Sequence, residues 1–416
     1  MIEYTKYTLD NGLTLLTHRD DSTPMAAVNL LYKVGSRNED PDRTGFAHLF
    51  EHLMFGGSVN IPVFDEPVQK AGGENNAFTN NDYTNYYMAL PKENLETALW
   101  LESDRMLSLA FSPRSLDVQR KVVVEEFAQR YLNQPYGDVW LLLRPLAYKE
   151  HPYQWATIGK SVDHIAGATM RHVKTFFKRY YTPSNAILSI VGDFEPDQVR
   201  RLVEKWFGDI PSRPQPADNI PAESGQKRQR RLTLRRRVPA SLIYMVFHMG
   251  PRMSREFTVC DVISDLLSNG TSSRLYQRLV KESELFSSVN AYVSGDMDDG
   301  LFVVTGRVLD GVPVAEAEKA LWRELDTLKK EPAWEYELEK VKNKYEANNI
   351  FGEINVLNKA MNLAFFEMLG DVSLINREVA SHNSVTAGEV MATSRRLFTR
   401  RNSSVLHYLA DSDADR

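Results

Sequence analysis

The sequence predicts an α+β protein of two similar domains, each a mostly antiparallel sheet packed with helices. Three observations carry that expectation. The chain has 416 residues, too many for one ordinary hydrophobic core and well suited to two. Strand-like alternation and helix-like periodicity follow one another in similar order in both halves, as a duplicated mixed unit would show. Between the halves the composition changes. Pro211, Pro214, Pro216 and Pro221 are followed by a basic run of Lys227, Arg228, Arg230, Arg231, Arg235, Arg236 and Arg237. That stretch reads as a solvated linker ending in a charged edge strand. The expected division is residues 1–212, a linker and start of the second half over 213–237, and 238–416.

The first half opens with two strand-like runs, Tyr7–Leu9 and Leu13–His18, across Asp10-Asn11-Gly12, a strong hairpin signal. Ala26–Val34 follows as a strand, and Gly45–Phe55 as a helix closed by Gly56-Gly57. Glu74–Thr79 and Thr84–Leu90 read as paired strands, and Asn94–Leu107 and Ser115–Leu132 as helices. After an irregular stretch come a helix at Met170–Arg179, a strand at Ala186–Val191 and a helix at Pro196–Phe207. The second half restarts with a strand at Ser241–His248 and helices at Arg255–Leu267 and Ser273–Lys281. Strands at Ser288–Val293 and Leu301–Val308 precede long helices at Val314–Lys330 and Glu335–Phe351.

Composition narrows the functional classes. Hydrophobic residues make up 43% and charged residues 25%, the profile of a folded globular protein. A net charge of −5 argues for no nucleic-acid partner. The single cysteine, Cys260, excludes an internal disulfide and a thiolate metal cluster, and its apolar helical setting reads as a buried inert thiol. No stretch is long and apolar enough for a membrane helix, and no leader is visible at the N-terminus, so the expected location is cytoplasmic, or periplasmic if a leader has been removed.

Chemistry concentrates in Gly45-Phe46-Ala47-His48-Leu49-Phe50-Glu51-His52-Leu53-Met54-Phe55. On a helix, His48 and His52 stand one above the other, and Glu51 borders the same face. Two neutral imidazoles at that spacing can reach one zinc ion, and a carboxylate beside them can accept a proton from a water. The remaining residues are apolar enough to bury the helix, so its polar groups need partners. Two histidines on an amphipathic helix beside a chance glutamate is the competing reading. The other histidines (His18, His151, His164, His172, His248, His382 and His407) stand singly.

A catalytic zinc site wants a third protein ligand. The candidates lie in Gln119-Arg120-Lys121-Val122-Val123-Val124-Glu125-Glu126-Phe127. With Val122, Val123 and Phe127 as a buried stripe, Glu126 borders it more closely than Glu125. An inward carboxylate there is costly unless it binds something, and a solvent-facing pair is the equal alternative.

The segment His48–His52, with Glu126 standing 74 positions after His52, resembles the pitrilysin/insulysin family of inverted-motif zinc peptidases. Further segments are similar to that family: Gly72–Thr79 followed by Thr84–Tyr87, His151-Pro152-Tyr153 with Ile158-Gly159, Tyr180–Ala186 leading to Val191-Gly192-Asp193, and Gly270–Leu275. The resemblance covers nearly the whole chain. It implies a zinc metalloendopeptidase acting on unfolded peptides, with His48, His52 and Glu126 as zinc ligands and Glu51 as general base. It implies that the edge strand at Asn76, Ala77, Phe78 and Thr79 pairs its backbone with the substrate peptide. It also implies a two-domain chain that pairs as a dimer.

Two departures bear on activity. Where active members of the family often carry a glutamate, seven positions before the third ligand, this chain has Gln119. Where the family has an Arg and a Tyr that hold the substrate carbonyl, this chain has Val280 and Ser287, neither of which supplies the same donors. The expectation is therefore a zinc-bearing subunit whose dimer partner could be a different subunit supplying the Arg and Tyr. The alternative is a non-catalytic peptide-binding or assembly subunit of the same family.

Overall fold

A computed structural model of the chain describes residues 1–214 and 219–411; Pro216, within the expected linker, lies outside the described residues. The chain forms two compact units, and neither is continuous in sequence. The first comprises Met1–Gln129, Trp155–Ile220 and Asn349–Arg377, and the second Arg130–Gln154, Pro221–Asn348 and Glu378–Arg416.

The first unit is built on six strands: β1 (Thr5–Thr8), β2 (Thr14–Arg19), β3 (Met25–Tyr32), β4 (Glu74–Thr79), β5 (Thr84–Pro91) and β6 (Ala186–Gly192). They lie in the order β1-β2-β6-β3-β5-β4. β2 and β6 run parallel, and every other neighbouring pair is antiparallel. The β1–β2 turn uses Gly12 at φ +87°, a left-handed conformation that glycine adopts without a Cβ penalty. β3 and β6 are almost wholly buried, as strands covered on both faces must be.

The second unit repeats this plan. β7 (Arg230–Arg236), β8 (Leu242–Met249), β9 (Phe286–Val293), β10 (Gly300–Val308) and β11 (Ser403–Ala410) lie in the order β7-β11-β8-β10-β9. Replacing β2 through β6 by β7 through β11 converts one order into the other. The one parallel pair falls in the same place, β7 beside β11, with antiparallel pairing elsewhere. The duplication read from the order of elements is thus present in the sheet topology. β7 takes up the basic run as an edge strand: Arg231 turns to Glu318, while Leu232 and Leu234 face the core.

The linear division into 1–212 and 238–416 misses an exchange of helices. Helix Val139–Ala147, in a stretch read as irregular, belongs to the second unit, where Val139, Leu143 and Ala147 pack on Leu242, Val246, Leu301 and Val303. Helix Val356–Met368 lies late in the sequence but belongs to the first unit, against β3 and β6. There the Ser189 hydroxyl of β6 donates to the Ala360 carbonyl at 2.6 Å. The opposite face of the second sheet is covered by helices Arg255–Ser268, Val314–Lys330 and Ala387–Leu397. Cys260 is buried on the first of these, and burial pushes its thiol well above the usual range, which makes it inert at neutral pH.

Candidate metal centre

The motif helix spans Phe46–Leu53. Its start is set by Gly45, at φ +85°. A Cβ on Gly45 would lie 2.6 Å from the Ile158 carbonyl oxygen, so neither the backbone angle nor the space admits a side chain. The buried Glu39 accepts hydrogen bonds from the N–H groups of Gly45 at 2.9 Å and Ala47 at 2.8 Å. These belong to the helix's first turn, where backbone donors lack intrahelical partners. One face of the helix, Phe46, Ala47, Leu49, Phe50 and Leu53, is buried, with Phe50 packed on Phe177 and Tyr181. The 3.6-residue repeat therefore leaves His48, Glu51 and His52 together on the opposite, half-buried face.

A second helix, Pro113–Phe127, packs against the motif helix. Ser112 caps it through the Ser115 N–H, and Leu116, Val123 and Phe127 are its buried residues. Val122, expected in that stripe, is instead 43% exposed. The buried stripe runs through Leu116, Val123 and Phe127, which puts Glu125 on the far side of the helix and Glu126 on the flank of the stripe. Glu125 faces solvent and accepts from Gln129. Glu126 is 17% exposed and faces the histidines, its Oε2 3.3 Å from His52 Nε2 and 3.7 Å from His48 Nε2.

Donor atoms of His48, His52 and Glu126 all lie within 4.8 Å of one another. A tetrahedral zinc with bonds of about 2.0–2.2 Å separates its ligand atoms by ~3.3–3.5 Å, so the separations to Glu126 suit such an ion. Two imidazoles and a carboxylate are also a usual donor set for catalytic zinc. The residues present fit the metal.

The strand expected to bind substrate is the sheet edge. β4 pairs with β5 on one side only. Asn80 N–H donates to the Tyr83 carbonyl at 3.0 Å, across the β4–β5 turn, so Asn80 faces β5. Alternation then turns the backbone groups of Thr79 and Ala77 to the open edge. Consistently, Ala77 N–H is taken by the Asn76 side chain, at 2.8 Å, and not by the ladder. Asn76 is exposed, whereas Ala77, Phe78 and Thr79 are half-buried, and the Phe78 ring lies edge-on to Tyr83. The Thr79 hydroxyl donates to Glu51 Oε2 at 2.5 Å. That tie had no counterpart in the sequence reading, and neither did the Glu39 cap.

In the second unit, Val280 packs against the core. Ser287 is exposed, and its hydroxyl donates to the Arg307 carbonyl.

Residues 14–158 match the family described as insulinase (peptidase family M16), and residues 167–345 the companion described as the peptidase M16 inactive domain. The zinc protease PqqE of Helicobacter pylori is 31% identical over 349 residues, which cover 82% of this chain and 78% of that protein. The chain belongs to peptidase family M16. The M16 chain is also similar to an uncharacterized zinc protease, YmxG, of Bacillus subtilis, 25% identical with 95% of each chain covered. The crystal structure of a protease from Helicobacter pylori superposes with a TM-score of 0.93 at 27% identity, covering 99% of this chain and 100% of that one. An M16-like peptidase of Alicyclobacillus acidocaldarius shares the fold, with a TM-score of 0.85 at 19% identity over 99% of each chain. Among the described residues, no helix of this M16 chain is long and apolar enough to cross a membrane.

Proposed function

We propose that this chain is a zinc metalloendopeptidase subunit that hydrolyses unfolded peptides. One observation carries the reading: Glu51 borders the triad of His48, His52 and Glu126 and is hydrogen-bonded to the edge strand through Thr79. When bound by that triad, zinc supplies Lewis-acid polarisation of a carbonyl and acidifies a water. The chain's own residues do the rest. An extended peptide adds to β4, and the outward backbone groups of Ala77 and Thr79 hold its main chain whatever its side chains. Ala77 N–H exchanges its bond to Asn76 for one to the peptide. Glu51 receives the proton from the attacking water and delivers it to the leaving amine.

A second reading is favoured by Val280 and Ser287. Neither offers a donor for a developing oxyanion equal to the Arg and Tyr expected from the family resemblance. In that reading the chain binds peptide without cutting it, or works as one subunit of a dimer whose different partner supplies both groups.

The test is hydrolysis of a mixed pool of short unstructured peptides by the zinc-loaded chain alone, beside its Glu51→Gln variant. Cleavage by the wild type only is the expected result and makes the chain catalytically complete. Equal cleavage by both removes the assignment of Glu51. Absence of cleavage with zinc bound points to the missing partner.

A further inference from the structure

We propose that Thr79 is a positioning residue for Glu51, a hydroxyl latch that ties the proton-accepting carboxylate to the strand that receives the peptide. The inference rests on the proposed peptidase reading and extends it to a residue outside the triad of His48, His52 and Glu126. Thr79 is the last residue of β4 and does two things at once. Its side chain, on the face of the strand turned to the motif helix, donates to Glu51 Oε2 at 2.5 Å. Its backbone groups face the open edge, because the bonds made by Asn80 N–H and Ala77 N–H fix the alternation.

The consequence is geometric. A carboxylate on an eight-residue helix can turn about its own torsions, and each misplaced rotamer points the accepting oxygen away from the reacting water. A charge-assisted O–H···O⁻ bond of this length is among the stronger hydrogen bonds available to a side chain. It engages Oε2 and so orients the other oxygen of the group. Because the donor sits on the peptide-binding strand, the position of Glu51 is referenced to the substrate backbone and not only to its own helix. A peptide pairing with Thr79 and Ala77 stiffens the strand that holds the latch, so the base is most firmly placed when substrate is present. The β-branched Thr suits both roles: it favours the strand and restricts χ1.

The experiment compares Thr79→Val, which keeps the shape and the β-branch, with Thr79→Ser, which keeps the hydroxyl. Cleavage of a fluorogenic peptide and zinc content are measured for both. Thr79→Val is expected to lower kcat by about 10- to 100-fold with KM and bound zinc unchanged, and Thr79→Ser to recover most of the loss. A kcat within about twofold of wild type in Thr79→Val overturns the proposal. So does a loss carried by KM, or a Thr79→Ser variant as slow as Thr79→Val. If the wild type itself does not cut peptides, the peptidase reading is what has failed for the isolated chain, and the latch is judged separately. The Tm shifts of Thr79→Val and Glu51→Ala, which removes the acceptor, must then fail to add in the double variant. Additive shifts would mean that the hydroxyl does not hold the carboxylate.

Discussion

Lys359 Nζ lies 2.5 Å from Asp20 Oδ2, and the two side chains are 14% and 6% exposed. The pair joins the residue after β2 to helix Val356–Met368, the segment the first unit takes from late in the chain. Asp20 also accepts from the N–H and hydroxyl of Ser22. Burial pushes the Asp20 carboxyl up, but Lys359 and Ser22 outweigh it and hold the group at about 2.

The sign of the pH effect follows. A carboxyl held below its unfolded value of 3.8 contributes stability that is present above about pH 4 and lost as pH falls towards about 2. Lys359→Met leaves Asp20 without its cation and should cost about 1–3 kcal/mol at pH 7. Urea unfolding at pH 7 and pH 2.5 checks this: the gap between wild type and variant narrows in acid. A gap of the same size at both pH values would mean that the pair contributes nothing through charge.

The two adjacent glutamates make the metal assignment separable. Glu126→Ala removes the carboxylate that faces both histidines and should weaken zinc binding by at least about 100-fold, beyond what loss of a supporting contact costs. Glu125→Ala removes a solvent-facing group and should leave affinity unchanged. Competition with a chromogenic chelator reads both. Full zinc occupancy in Glu126→Ala would assign the third ligand elsewhere.

Glu39 predicts a pH dependence of opposite sense. Burial raises its carboxyl to about 8 even against the N–H donors of Ala47 and Gly45. A group raised above its unfolded value of 4.5 contributes stability fully present below that value and lost as pH rises through about 8. Thermal unfolding of the wild type should therefore weaken between pH 6 and pH 9. Glu39→Gln cannot ionise and leaves one helix donor poorly matched, at a cost of about 1–2 kcal/mol at pH 6. Its deficit should shrink or reverse by pH 9. Parallel profiles would show that another group titrates.

How much of this was legible in the sequence depends on the range of the interaction. His48 and His52 could be read because an i, i+4 spacing is a local property of one helix, and the β4–β5 hairpin because alternation and a short turn are local too. The choice between Glu125 and Glu126 was harder. Adjacent helix positions differ by about 100°, and a stripe through Val123 and Phe127 puts Glu126 on its flank without saying what that flank meets; the packing of this helix on the motif helix is what faces Glu126 to the histidines. The exchanged helices were not legible, since an apolar face on Val139–Ala147 or Val356–Met368 says that a sheet covers it and not which sheet. The same holds for Thr79 and Glu51, whose 28-residue separation carries no periodic signal.

The last prediction concerns the turn between Val280 and Ser287. Glu284 there adopts φ +49°, a left-handed conformation that costs a residue with a Cβ roughly 1–2 kcal/mol. It connects the helical turn Tyr276–Glu282 to β9, and the side chain is exposed, so nothing is lost by deleting it. Glu284→Gly relieves the strain, but glycine's greater freedom in the unfolded chain takes back part of the gain. A net stabilisation of about 0.5–1 kcal/mol should remain. Glu284→Ala keeps the Cβ and should show none of it, which separates backbone relief from loss of charge. The pair also probes whether this turn takes part in catalysis. If Val280 and Ser287 have no role in the reaction, Glu284→Gly raises Tm and leaves peptide cleavage unchanged; a fall in kcat alongside the higher Tm would place the turn within reach of the substrate.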